Sequence, residues 1–298
     1  MPTQLDKDIS RITQAVTAPG QMFELTETTR RGVTMPAFKN APPSLAHFFA
    51  HFCNEKKDEL FIVDGDMRLT FGEVWHAASH VAHSLASQHG IEKGDRVGIA
   101  ARNSANWIIA YMGVIMAGGC ATLLNGWWTG EEMAYGIGLC DCKLVLADAQ
   151  RAERLGGVEH GAKVVVFEHG VPSEGLAPVW AAGDTAMTML GQIGPDDLAT
   201  ILYTSGSTGH PKGAYSDHLG VVSGTMNYVC QTAMMLQLLT ERGDAPTVQP
   251  SALVAVPLFH VTGEVPLFLQ SFAMGRKLVL MPKWDATNAL ELLEKEQI

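Results

Sequence analysis

Basic residues are scarce in this sequence: 21 Lys and Arg stand against 31 Asp and Glu over 298 residues, a net charge of −10. No basic excess exists to neutralise a phosphate backbone, so nucleic acid is not the expected partner, although local positive charge can still hold one nucleotide. Cysteine is sparse and odd in number. Cys53, Cys120, Cys140, Cys142 and Cys230 do not read as a disulfide framework, and a reducing cytoplasm fits them. Cys140-Asp141-Cys142 has no second pair or nearby histidine to complete a zinc site, so no metal is expected there. The opening residues, MPTQLDKDISRITQ, have mixed charge and no apolar core, so a secretory signal is not expected in them. Charge is also missing between Arg102 and Glu131, and the run Trp107 to Leu124 approaches the length of a membrane span. Gly118 and Gly119 divide that run into a buried helix and a buried strand, so no transmembrane segment is expected.

What is present is an apolar, turn-rich chain: 47% hydrophobic residues, 30 glycines and 14 prolines, with no repeat or low-complexity stretch. Residues 1–43 show little periodicity and are expected to form a peripheral arm. From Ser44 short apolar strands alternate with helical patterns. The spacing predicts helices over 44–55, 71–89, 105–117 and 131–139, and strands at 60–63, 67–70, 96–101, 119–123, 143–147 and 163–167. Residues 169–196 carry little pattern and read as a linker or a boundary between subdomains. A second unit then opens with strand Leu198–Tyr203, a loop, and a long helix from about Asp217 to Thr240. The expected class is α/β: two parallel-sheet subdomains with helices on both faces, divided as 44–195 and 196–298.

The loop Thr204-Ser205-Gly206-Ser207-Thr208-Gly209-His210-Pro211-Lys212-Gly213 is the most informative stretch. It is expected to run from a buried strand into a helix. Its glycines let backbone approach a ligand closely. Its hydroxyls and backbone N–H groups can donate to phosphate oxygens, and Lys212 adds a mobile positive charge. No register of it supplies the Walker A pattern. Tyr135-Gly136-Ile137-Gly138 is a lone Gly-x-Gly inside a predicted helix and reads as packing.

YTSGSTGHPKGA, Tyr203 to Ala214, resembles the phosphate-binding signature of the adenylate-forming superfamily. LTFGEVWHAASHVAHSL, GDRVGIAARNSANWIIAYMGVIMAGG and PLFHVTG, the last spanning Pro257 to Gly263, resemble further segments of that family. The chain is thus similar to the N-terminal part of an AMP-forming acyl-CoA synthetase, over roughly residue 44 to the end. The resemblance implies that a carboxylate attacks the α-phosphorus of ATP to give an acyl-adenylate and pyrophosphate. A thiol, usually that of coenzyme A, then displaces AMP. It implies ATP, Mg2+ and coenzyme A as cofactor and substrates, with a fatty or other apolar carboxylic acid. Thr204, Ser205, Gly206, Ser207, Thr208, Gly209 and Lys212 would hold phosphate, and Lys212 and His260 would serve the reaction.

The same resemblance suggests that Met226, Tyr228, Val229, Ala233, Met234, Leu236 and Leu238 include residues that line an acyl tunnel, although such a stripe is usually plain core. Trp127 and Trp128 replace a Pro-rich step often found after Asn125 in relatives. The family's Tyr-Gly-x-Thr-Glu segment, its ribose-binding aspartate and its C-terminal domain with a catalytic lysine are not found. The chain is therefore expected to be an N-terminal piece or truncated product, a poor catalyst or none by itself. An amino-acid adenylation domain and a non-catalytic nucleotide-binding module stay open as alternatives. A homodimer stays open as well, since oligomeric state is not legible.

Overall fold

The computed structural model describes residues 2–30, 32–183, 185, 192–204 and 210–298. The first forty residues are more ordered than their pattern suggests. Thr3 and Asp6 form a capping box that starts α1 (Gln4–Val16). Antiparallel β1 (Leu25–Arg30) and β2 (Val33–Phe38) follow.

Next come α2 (Leu45–Glu55), β3 (Leu60–Asp64), β4 (Met67–Thr70) and α3 (Phe71–Ser87), the last again opened by a capping box, Thr70 with Glu73. Then strands and helices alternate: β5 (Arg96–Ala100), α4 (Ala105–Met116), β6 (Cys120–Leu123), α5 (Gly130–Leu139), β7 (Leu144–Asp148), α6 (Ala149–Leu155) and β8 (Lys163–Phe167). The stretch expected to be a linker contains the short α7 (Pro172–Gly175). The chain continues with β9 (Leu198–Thr204), β10 (Lys212–Asp217), α8 (His218–Arg242) and β11 (Ser251–Val254). A π-helical segment (Gly263–Leu269) runs into α9 (Gln270–Met274), followed by β12 (Lys277–Leu280) and α10 (Ala286–Lys295).

Two larger sheets carry the fold. One is six-stranded in the order β10-β9-β6-β5-β7-β8, parallel except for β10. The other is four-stranded in the order β11-β12-β3-β4, with β4 antiparallel. The class is α/β, as expected. Sheet membership, however, crosses the division at 195/196. β9 and β10 complete the sheet begun by β5 to β8, while β3 and β4 join β11 and β12. Buried β6 needs a backbone partner on its open side, and β9 supplies it through Ala121, Thr122 and Leu123 opposite Thr200, Ile201 and Leu202.

The charge-free run is α4, a turn and β6. Every residue of α4 is buried. A Cβ on Gly113 would lie 2.5 Å from Val81 Cγ1, so this glycine sets how closely α3 and α4 approach. Gly118, at φ +85°, takes the left-handed turn that ends α4 and leads into β6. No helix among the described residues is long and apolar enough to cross a membrane. Phe48, Phe49, Phe61, Phe71, Phe268 and Phe272 form one aromatic cluster between the sheets, with Phe61 and Phe71 stacked at 4.0 Å.

The N-terminal elements are fastened to α8. α1 packs on it, Arg11 pairs with Glu241, and Arg30 pairs with Asp196 and, at 3.0 Å, with its N-cap Asp217. His218, fully buried, accepts the Leu45 N–H on Nδ1 at 3.2 Å, and burial pushes its pKa down to about 4. A depressed histidine contributes stability above its unfolded pKa of about 6.5 and loses it as pH falls. The loss amounts to about 3 kcal/mol from pH 6.5 to pH 4. Urea midpoints should therefore drop more steeply with acid in the wild type than in His218→Gln, and parallel pH profiles would contradict this assignment.

Candidate functional site

β9 and β10 form a β-hairpin. Thr204 ends β9 and Lys212 begins β10, and the two stand opposite each other in the antiparallel register. This corrects the expected strand–loop–helix order: an edge strand intervenes before α8. Lys212 to Tyr215 are exposed, so the strand shows none of the apolar alternation that marks a half-buried one. Ser205, Gly206, Ser207, Thr208 and Gly209 lie outside the described residues. Among the described residues Lys212 has no ion-pair partner.

The second part of the site is the turn after β11. The Asn103 side chain follows β5 in the other sheet and pins it. Its Nδ2 donates to Val256 O at 2.8 Å and its Oδ1 accepts the Leu258 N–H at 2.9 Å. The turn then closes on His260, whose carbonyl accepts the N–H groups of Gly263 and Glu264 at 2.8 and 2.9 Å. The Thr262 N–H donates to His260 Nδ1 at 3.4 Å, which leaves the proton of the neutral ring on Nε2. His260 is exposed.

Hairpin and turn border one cleft of about 690 Å³, whose walls include Thr204, Ala214, Leu202, Leu123, Asn125, Glu132 and His260. Thr204 and His260 are thus brought together. Lys212 lines an adjoining cavity of about 430 Å³, and Pro211 borders both. Trp128, from the tryptophan step, also lines the cleft. Trp127 meets Phe259 edge-on at 5.3 Å, and Trp128 meets Tyr203 edge-on at 5.0 Å. Arg151 and Arg154 hold the step by donating to the carbonyls of Gly126 and Trp128 at 2.8 and 2.9 Å. Tyr203 is fixed by donating to Gly136 O at 2.6 Å, beside Cys140.

Of the α8 residues named as tunnel candidates, Met226, Val229 and Leu238 are buried core, Tyr228 is exposed, and none lines the cleft. Sequence reasoning missed Trp127 against Phe259, because pairing between distant loops leaves no local sign. It also missed Glu264, which follows the turn. Glu264 is 1% exposed, accepts the Tyr111 hydroxyl at 2.7 Å, and is pushed up by burial to about 7. Its available signal was a lone acid in the apolar run TGEVPLFLQSF.

With this geometry in place, the chain belongs to the AMP-binding enzyme family, which matches residues 49–298. In sequence it is similar to 2-succinylbenzoate–CoA ligase of Bacillus licheniformis, 29% identical over 241 residues covering 81% of this chain and 45% of that protein. It is also similar to 4-coumarate–CoA ligase 3 of Arabidopsis thaliana, 25% identical over 236 residues covering 77% and 40%. In fold it is similar to the N-terminal domain of FACL13 from Mycobacterium tuberculosis, with TM-score 0.70, 23% identity, and 86% of this chain covering 62% of that one. O-succinylbenzoate coenzyme A synthetase (MenE) of Bacillus subtilis, solved in complex with AMP, gives TM-score 0.67, 23% identity, and 86% and 60% coverage. The chain spans less than half the length of the two curated relatives.

Gly263 decides whether the turn can form, since a Cβ there would lie 2.1 Å from Pro257 O. Gly263→Ala should cost about 2–3 kcal/mol in thermal or urea unfolding, because rigid backbone cannot yield as a side-chain tip can. A change below about 0.5 kcal/mol would show that the turn has another accessible conformation.

Proposed function

We propose that this chain contributes the phosphate-binding hairpin and the acid-binding turn of an ATP-dependent, AMP-forming acid–CoA ligase. The observation that carries the reading is the meeting of Thr204, at the mouth of the Tyr203–Ala214 hairpin, with His260 on one cleft. Carboxylate and triphosphate are both anions, so the first step needs charge compensation and fixed orientation. In this reading Thr204, the residues 205–209 and Lys212 hold the phosphates, and His260 faces the entering carboxylate. The cleft offers the Thr204 hydroxyl and the Glu132 carboxylate as oxygen donors. That set suits Mg2+, a hard cation that binds largely through substrate phosphates and few protein ligands. Bound there, Mg2+ would neutralise phosphate charge.

Leu123, Leu202, Trp128 and Phe259 give the cleft an apolar, aromatic wall, which supports an apolar or aryl acid as substrate. Coenzyme A as the thiol acceptor rests on the similarity to acid–CoA ligases. All five cysteines are unpaired, which supports a reducing compartment such as the cytoplasm.

Calorimetric titration with Mg–pyrophosphate and Mg–ATP tests the hairpin. Lys212→Ala should weaken both by about 10–100-fold, the loss expected for one charge-assisted contact. Equal binding by wild type and variant would sink the phosphate assignment of Lys212.

A further inference from the structure

Two histidines on α3 stand outside the cleft and its chemistry. His76 and His80 are four residues apart, so they rise from one side of the helix on adjacent turns. Their Nε2 atoms are 3.0 Å apart. The rings are nearly perpendicular, and their centroids lie 4.5 Å apart, closer than two rings joined in line across that 3.0 Å would be. The two nitrogens therefore meet at an angle rather than head-on, as two ligands in neighbouring positions around one ion do.

His80 is fixed in place by its surroundings. It is 7% exposed, its ring stacks on Trp180 at 4.5 Å, and its Nδ1 donates to Ala181 O at 2.7 Å. The Ala181 N–H in turn donates to His80 O at 3.3 Å. A carbonyl only accepts, so Nδ1 carries the proton of the neutral ring and Nε2 presents its lone pair. An Nδ1–H held by a backbone carbonyl is the outer contact that metal-ligating histidines make. His76 is exposed. In the hydrogen-bonded pair its Nε2 donates to His80. With its proton on Nδ1 instead, it presents a second lone pair beside the first.

We propose that His76 and His80 form a two-point site for a borderline divalent transition-metal ion, Zn2+ or Ni2+. Imidazole nitrogen suits such ions, whereas Mg2+ takes oxygen ligands. Among the described residues no group of three or more His, Cys, Asp or Glu side chains is placed to hold an ion. The chain therefore supplies two ligands, and water supplies the rest from the side of exposed His76. A bound ion fastens α3 to Trp180 and Ala181 through His80, and it stabilises the native chain by mass action. Neither histidine lines the cleft, so the site is independent of the reading of that cleft.

Calorimetry and urea unfolding on the 298-residue chain, stripped of metal with a chelator, test this with NiCl2, ZnCl2 and MgCl2. The informative variant is His76→Gln, whose side-chain amide can still donate to His80 Nε2 but cannot ligate an ion in place of imidazole. The wild type should bind Ni2+ and Zn2+ at least about tenfold more tightly than this variant, the gain expected when two ligands are linked. The wild-type urea midpoint should rise with Ni2+ and not with Mg2+. The midpoint of His76→Gln should lie near that of the wild type without metal, and should not rise with Ni2+. His76→Ala should lose the Ni2+ response as well, whatever the missing hydrogen bond does to its baseline. Equal Ni2+ affinity in wild type and His76→Gln overturns the proposal, as does an equal rise of midpoint in both. Absence of Ni2+ and Zn2+ binding by the wild type overturns it too.

Discussion

One carboxamide holds the site together. Asn103 leaves β5 in the six-stranded sheet and satisfies the backbone that leaves β11 in the four-stranded one, at Val256 O and Leu258 N. Those groups come just after the end of a strand, where no ladder continues, and buried backbone groups need partners. The His260 turn begins at the residue before Leu258. Its position on the cleft it shares with Thr204 is therefore set by a side chain that follows a strand of the other sheet. An apolar residue at 103 would leave these groups unpaired and free the turn at its root.

The same device recurs between the sheets. Asp64, the last residue of β3, accepts the Ala105 N–H at 2.9 Å and so caps α4 from outside its own sheet. His218 does the same for Leu45 at the start of α2. The interface is otherwise mostly aromatic and aliphatic side chains, which bind strongly but specify geometry weakly. Buried polar contacts with one satisfying partner fix the register of such a surface, because any other alignment strands a donor. Three helix or turn starts set this way, on elements that come from both ends of the chain, explain how sheets that exchange strands across the sequence still meet in one arrangement.

What the sequence shows depends on whether burial leaves a local trace. α3 and α4 were legible because a half-buried or fully buried helix writes its environment into nearby residues. β5, β6 and β7 were legible as short apolar runs between turns. α1 was missed although Leu5, Ile9, Ile12 and Val16 follow helical spacing and Thr3 precedes Asp6 by three; two of those four apolar residues remain exposed, which weakens the pattern. β10 was missed because its exposed residues carry no alternation. The exchange of β3, β4, β9 and β10 between sheets could not be read, since partners as distant in sequence as Ala121 and Thr200, or Ile62 and Leu278, impose no spacing. In the site, Thr204 and His260 were reached through motif resemblance. Glu264 and the Trp127–Phe259 contact arise only when distant loops converge.

The strand order explains why the cleft is where it is. β5 is the centre of the six-stranded sheet, with β6 and then β9 added on one side and β7 and β8 on the other. Chains that leave neighbouring parallel strands in opposite directions open a crevice at the carboxyl ends, and ligands bind there. The residues just past those ends are the ones that build this site: Asn103 after β5, Asn125 and the tryptophans after β6, and Thr204 at the end of β9. The antiparallel β10 then returns the chain beside the crevice, and this places Lys212 opposite Thr204. A parallel β10 would require a crossover and would carry a basic residue at its first position to the far end of the sheet. The edge hairpin that sequence periodicity could not reveal is thus what sets Lys212 beside Thr204 at the end of β9.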